Sequence, residues 1–283
     1  MPRPAQNWLD PDWPHLNSIP RTLYRYMTFE RGRDVLSSNQ LYFSSPQGFN
    51  DPFDCRVTPS FKDPVKDLEK YARSLARRQF PTLPRHERRQ KLRSIRPQLR
   101  GSRFEEIYKE WEWKVLDQSG ILCLTEKRDD ILMWSHYANG HTGVCLEFEY
   151  TPGGAFSGFS LPVSYAEEFP NITFAEIFNA RDERAAMVQF GKLLFLIKSW
   201  HWRYEKEWRL IRIATEQVRL YGLCSFPARL LRGVIVGCRM SDEHKHEIYQ
   251  LSISRLPRPI LYEAVKKDRQ FALEIRLVSL ARS

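Results

Sequence analysis

Residues 198–212 read KSWHWRYEKEWRLIR, a stretch that holds three tryptophans, a tyrosine, two glutamates separated by one lysine, and a set of arginines. It reads as a helix end running into a strand. Strand side chains alternate between faces, so Glu205, Glu207 and Arg209 are expected on one side and Tyr204, Lys206, Trp208 and Leu210 on the other. Two readings stand. The charged face is either solvated and held by a Glu–Arg pair, or it lines a cleft where paired carboxylates and an arginine do chemistry.

Outward from this stretch, strand-like and helical segments alternate. LYRYM at 23–27 is a strand, Thr28 caps the helix FERGRDVLSSN, and QLYFSSP is a second strand ended by Pro46. FNDPFDC is a turn built on Asn50, Asp51 and Pro52. ILCLTE is a buried strand, DDILMWSHYANG a helix capped by Asp129 or Asp130, and HTGVCLEFEY a strand. LPVSYAE is a further strand, and residues 174–200 form a long amphipathic helix that delivers the chain to 198–212. RGVIVG, the capped helix SDEHKHEIYQLS, and a hairpin of ILYEAVKK with FALEIRLV complete the order. The expectation is one α+β domain over 1–283, with an irregular arm at 1–20, a compact core and a helical insertion at 60–118.

Composition narrows the class. At 283 residues, 42% hydrophobic and 13% aromatic, the chain can bury a sizeable core, which excludes general disorder. No apolar run reaches the length of a membrane span, and the start MPRPAQNWLDPDWPHLNSIP is polar and proline-broken, unlike a signal peptide. A soluble, cytoplasmic protein without a membrane partner is expected. The five cysteines are spread out and lack a CxxC pair, so they read as reduced core thiols.

The net charge of +10 has one source: residues 73–103 carry eleven Lys or Arg against a single acid, Glu87, and the rest of the chain is neutral. Arg77, Arg78, Arg85, Arg88, Arg89, Lys91, Arg93 and Arg96 are therefore candidate contacts to nucleic acid, RNA or DNA. A solvated helical face that keeps the protein soluble would give the same pattern.

Walker, dinucleotide-glycine, HExxH and GxSxG signatures are absent. Neither His136, His141 and Cys145 nor His244 and His246 have the spacing of a metal site, and none is expected. What remains is polar residues in apolar surroundings. Arg25 lies between Leu23 and Met27, so it is expected to meet a carboxylate or an anionic ligand. Ser44 and Ser45 end the second strand, and Trp134, Ser135, His136 and Tyr137 occupy one helical turn, spread around its circumference.

LYRYMTF, LYFSSPQGFNDPFDC, ILCLTEKRDDILMWSHYANGHTGVCLEF and WRYEKEWRLIR resemble, in order, the motif set of the bacterial family called domain of unknown function 2971. Its members look like accessory proteins of bacterial conflict and phage-defence loci. A second resemblance is to ADP-ribosyltransferases and their relatives. LYRY is similar to their first strand, with Arg25 gripping the ligand, and LYFSS to the second element, with Tyr42, Ser44 or Ser45 as candidates. YEKEW resembles the late strand, with Glu207 as the catalytic glutamate and Glu205 as its acceptor-directing partner.

That resemblance implies a compact split β-sheet core and NAD as cofactor, with Trp134, Ser135 and Arg209 as further candidate contacts outside its motifs. The expectation is then an intracellular toxin-like enzyme of antiviral defence that modifies nucleic acid or protein. An inhibitory or defence-system protein is a possible partner on this reading. Two rivals remain. One is a nuclease or RNA-processing enzyme using His136 and Tyr137 beside Glu205. The other is a non-catalytic nucleic-acid-binding module.

Overall fold

The structure, a computed structural model, describes residues 20–55, 73, 76–77, 80–95, 109, 112–113, 115–150, 159–169, 191, 193–212 and 220–279. The arm at 1–19, and Arg78 and Arg96 of the basic segment, lie outside the described residues.

β1 (Thr22–Met27) leads into α1 (Phe29–Ser38), whose first turn is capped by the Thr28 hydroxyl and whose end is closed by Asn39 in the left-handed conformation. β2 (Gln40–Phe43) follows, then a 3₁₀ turn at Pro46–Gly48. The described part of the 60–118 segment is helical apart from a turn at 80–84, and includes α2 (Arg85–Ile95). β3 (Gly120–Thr125), α3 (Ile131–Tyr137) and β4 (Val144–Glu149) form the next unit. Asp130 caps α3 by accepting from the Leu132 and Met133 N–H groups.

β5 (Phe159–Pro162), β6 (Ser164–Ala166) and β7 (Ile197–Ser199) come next, then a 3₁₀ turn at Trp200–Glu205 and β8 (Glu207–Arg212). β9 (Gly222–Ser225), β10 (Leu231–Val236), α4 (Asp242–Ile253), β11 (Ile260–Lys266) and β12 (Leu273–Leu277) complete the chain.

Eight strands form one mixed sheet in the order β12-β11-β10-β4-β1-β3-β8-β5, and β2 with β9 and β6 with β7 form two-stranded ribbons. Within the large sheet, β10 and β11 are parallel and the other neighbours antiparallel. β1 and β3 share a single residue pair, Tyr24 with Thr125, so the sheet narrows at its middle. The chain is thus α+β, as the alternation of periods implied, and its core is a large mixed sheet.

One face of the sheet packs Leu23, Met27, Leu122, Leu124, Leu146, Phe148, Trp208 and Leu210 against Phe29, Val35 and Leu36 of α1 and Ile248 of α4. The other packs Tyr26, Cys145, Ile235 and Leu273 against Met133, Trp134 and Ala138 around α3. A third cluster gathers Cys55, Val115, Leu116, Ile121, Leu193, Leu194, Phe195 and Ile197. Loop and sheet meet tightly at Gly143, where an added Cβ would stand 2.2 Å from the Met27 carbonyl oxygen.

Three expectations need correction. Of the helix expected over 174–200, residues 174–190 and 192 lie outside the described residues; residue 191 and residues 193–195 are helical, the helix ends before Leu196, and β7 then lies parallel to β6. The Ser164 N–H, at 2.7 Å from the Leu196 carbonyl, begins this pairing and competes successfully with helix continuation. The single strand expected at LPVSYAE is two, because Val163 and Ser164 carry the chain from the β8 edge to the Leu196 carbonyl. Finally, Tyr204 and Glu205, expected on the strand, end a 3₁₀ turn over 200–205, and Lys206 (φ 47°) turns the chain into β8.

Candidate active site

β8 enters the sheet between β3 and β5, so its side chains alternate between two interiors. Trp208 and Leu210 oppose Leu124 and Leu122 on the α1 side, whereas Glu207 and Arg209 oppose Thr125 and Cys123 on the reverse side. The charged side is not solvated. Arg209 is 0% exposed, Glu207 4% and Glu205 3%, which removes the reading of a solvent-facing strand held by a surface ion pair.

Such burial requires pairing, and each cation is paired. Arg209 forks onto Asp54, Nη1 donating to Oδ1 at 2.9 Å and Nη2 to Oδ2 at 2.7 Å. Its Nε donates to Glu207 Oε1 at 2.7 Å and its Nη1 to the Phe195 carbonyl at 2.8 Å. Lys198 donates to Glu205 Oε2 at 2.6 Å and Glu207 Oε2 at 3.0 Å, and its Nζ also lies over the Trp202 ring at 5.1 Å. Tyr137, half-buried at the end of α3, donates its phenol to Glu205 Oε1 at 2.6 Å. The Tyr165 hydroxyl accepts the Glu207 N–H at 2.8 Å.

The cluster therefore contains three carboxylates, Asp54, Glu205 and Glu207, against two cations, Lys198 and Arg209. That imbalance falls on one group. Burial, and then the Glu207 charge, push the Glu205 carboxyl above the ordinary carboxylate range despite Lys198. Burial would raise Glu207 as well, but Arg209 and Lys198 outweigh it and hold Glu207 far below that range. Burial lowers Lys198, but Glu207, Glu205 and Asp54 overcome it and keep the ammonium charged. The Tyr137 phenol is raised by burial and by Glu205, so it stays a proton donor to the carboxylate.

Of the residues singled out from sequence, Glu205, Glu207, Arg209 and Tyr137 converge here. His136 flanks them: it is exposed, with its ring 6.3 Å from that of Tyr137 and 6.4 Å from that of Tyr204. Arg25 comes close enough for its charge to act on Glu207, yet the bond it makes is to the Cys123 carbonyl, beside the narrowing between β1 and β3. The other candidates lie apart. Trp134 is wholly buried, its indole N–H donating to the Arg128 carbonyl, so neither ring face is open to a ligand.

Arg209 is likewise sealed from any cofactor by its protein partners. Ser135 is exposed on α3. Tyr42 is exposed on the β2–β9 ribbon opposite Leu223. Ser44 bridges Ile121 through its backbone at 2.9 Å in both directions, and Ser45 caps the turn at Pro46–Gly48. Among the described residues, no hydrogen bond or ion pair joins Tyr42, Ser44 or Ser45 to the charged cluster.

Asp54, Lys198 and Tyr165 belong to the site but were assigned no role from sequence. Asp54 closes the NDPFDC turn, in which the Asp51 side chain accepts the Phe53 N–H at 2.9 Å. Lys198 was legible in principle as a lone cation in the apolar run LLFLIKSW. On the basic segment, Arg77, Arg85, Arg89, Lys91 and Arg93 are exposed and Arg88 half-buried, and Lys91 lies over the Phe80 ring at 4.1 Å.

The segment that builds most of this site is also one that a family model matches. Residues 133–210 match the model of a family described as a protein of unknown function, DUF2971. The match takes in Tyr137, Lys198, Glu205, Glu207 and Arg209 and leaves Asp54 outside. No curated protein and no solved structure matches the chain. Among the described residues, no helix is long and apolar enough to cross a membrane, and no group of three His, Cys, Asp or Glu side chains could hold a metal ion.

Proposed function

We propose that the chain is an ADP-ribosyltransferase-like enzyme of bacterial defence that breaks the nicotinamide–ribose bond of NAD and passes the ADP-ribose to a nucleic acid or protein. The observation that carries this reading is the division of labour within one carboxylate pair. Glu207 is held ionised while Glu205, two residues away, is raised and joined to a tyrosine. Environments that drive neighbouring carboxyls apart are characteristic of acid–base sites.

The working carboxylate in this scheme is Glu205, and Glu207, Lys198, Arg209 and Asp54 are positioning residues. Transfer breaks the ribose–nitrogen bond, releases neutral nicotinamide, forms a bond from the acceptor to the ribose carbon, and frees one proton from the acceptor. Glu205, a stronger base than an ordinary carboxylate, takes that proton through the half-buried Tyr137 hydroxyl. Arg25, near the narrowing of the sheet, and the exposed arginines of α2 are proposed to meet the cofactor phosphates and a nucleic-acid acceptor. A cytoplasmic site of action and a partner that restrains the enzyme belong to the same proposal.

One observation favours a second reading. Every cation of the cluster is neutralised by the protein, so the network can also be a structural tie that joins β8, β7 and the NDPFDC turn. NAD consumption by purified protein, with and without RNA, DNA and cell lysate, separates the two when Tyr137→Phe and Glu205→Gln are compared with wild type. Loss of at least tenfold in turnover by both variants, at unchanged folded fraction, is the expected result. Wild-type protein that leaves NAD intact under every condition overturns the enzyme reading, and a Tyr137→Phe variant as active as wild type overturns the proton relay assigned to Tyr137.

A further inference from the structure

β12 is the last strand of the large sheet, and among the described residues nothing pairs with its outer edge. Its sequence, Leu273-Glu274-Ile275-Arg276-Leu277, is close to a palindrome in chemical type about Ile275. The register with β11 fixes which backbone groups face outward. The Val278 N–H donates to the Leu261 carbonyl and the Lys267 N–H to the Ala272 carbonyl, so even-numbered residues of β12 bond inward to β11. In an antiparallel ladder the alternate residues bond to the opposite side. The N–H and C=O groups of Leu273, Ile275 and Leu277 therefore lie along the open edge.

We propose that this edge pairs with β12 of a second copy of the chain, antiparallel about a two-fold axis through Ile275. In that register Ile275 faces Ile275 and Leu273 faces Leu277, and all three residues that present outward backbone groups find partners on both chains. Glu274 then faces Arg276 of the other copy, and Arg276 faces its Glu274, at the non-hydrogen-bonded positions where side chains approach most closely. These two side chains already pair along the strand at 2.8 Å and are about half exposed, so the contact extends an existing pair into a four-charge ladder.

Leu277, 67% exposed in the single chain, comes to lie beside the Leu273 of its neighbour. Moving the two-fold axis by one residue, a two-residue slip of the register, would oppose like residues at Glu274 or at Arg276 and lose the leucine pairs. Two-fold symmetry and strand register thus select the same arrangement. An edge contact of this kind is small, so reversible association in the micromolar range or weaker, on the order of transient interfaces, is expected.

Sedimentation equilibrium over about 1 to 500 µM protein tests this on wild type, Glu274→Arg, Arg276→Glu and the double exchange, a range set by the weak affinity expected of a small interface. Wild type is expected to dimerise, each single reversal to weaken the dimer about tenfold or more, and the double exchange to restore it because it rebuilds both cross-strand pairs. Circular dichroism and melting temperature report folding independently, since both positions are exposed. A protein that is monomeric throughout, a dimer indifferent to the single reversals, or a folded double variant that stays dissociated each overturns the proposal.

Discussion

β8 and α2 both read as runs of charge broken by few apolar residues, yet β8 is interior and α2 is surface. The difference lies in sign and in flanks. On β8 and the turn before it, acid and base alternate, and the intervening positions are Trp208 and Leu210, which reach the main core. α2 is RHERRQKLRSI, in which a single acid accompanies five Lys or Arg. A buried charge persists only with a partner, so a mixed run can be drawn inside and a run of one sign cannot. Charge density is therefore a poor guide to location, whereas charge alternation on an apolar-backed strand is a good one.

The largest effect that would break this comparison is at Arg209. Arg209→Met leaves Asp54 and Glu207 buried beside a side chain that can neutralise neither, and is expected to cost about 3–5 kcal/mol of stability. Urea unfolding of the variant measures it. A loss below about 1 kcal/mol, the range of surface pairs, would mean that the cluster is wet and interchangeable with the surface of α2.

Much of this was legible in the sequence, and what was not has physical causes. The element order, β7 and β9 apart, followed from alternation of apolar residues, from the cap Thr28 and one at Asp129 or Asp130, and from the turn formers of NDPFDC. The convergence of Glu205, Glu207 and Arg209 on one side followed from their spacing, even though Glu205 belongs to a 3₁₀ turn, because Lys206 turns the chain without reversing which way they face. Lys198 was hidden because a helix was extended across it, and only tertiary pairing of β7 with β6 ends that helix. Asp54 was hidden because a turn aspartate has a sufficient local explanation, and its bond to Arg209 spans 155 residues. Trp134 was offered as a ligand platform because a single sequence does not say which face of a short helix meets the sheet.

An intermediate effect sharpens the comparison within the cluster itself. The folded-state carboxyl of Glu207 is lowered relative to the unfolded chain, so it contributes stability that is present above the unfolded value, about 4.3, and is lost as pH falls below it. Glu205 is raised, so its contribution has the opposite sign: the folded state holds the proton more tightly, and stability is lost as pH climbs above the unfolded value. Urea unfolding is therefore expected to show the cost of Glu207→Gln growing as pH rises toward about 4.3 and levelling off above it, whereas the balance between Glu205→Gln and wild type shifts toward the variant as pH climbs above about 4.3. Parallel trends for both variants would show that the two carboxyls share one environment, and would remove the asymmetry on which the acid–base reading rests.

The smallest effect on stability is expected at α2, and it is informative because it is small. Arg85, Arg89 and Arg93 recur every four residues and so lie along one side of the helix, and all three are exposed. Replacing them together with Gln removes three like charges from solvent, keeps helix propensity and, among the described residues, breaks no ion pair, the contact of Glu87, the one acid of the helix, being to His86. Unfolding free energy should stay within about 0.5 kcal/mol of wild type. If this side tracks a phosphate backbone, affinity for single-stranded RNA should fall and the salt dependence should flatten, by about 0.7 in log–log slope for each phosphate contact removed. Unchanged affinity with unchanged stability would leave the run as a solvated face, whereas lost stability would mean that α2, like β8, is held by partners the charge pattern did not reveal.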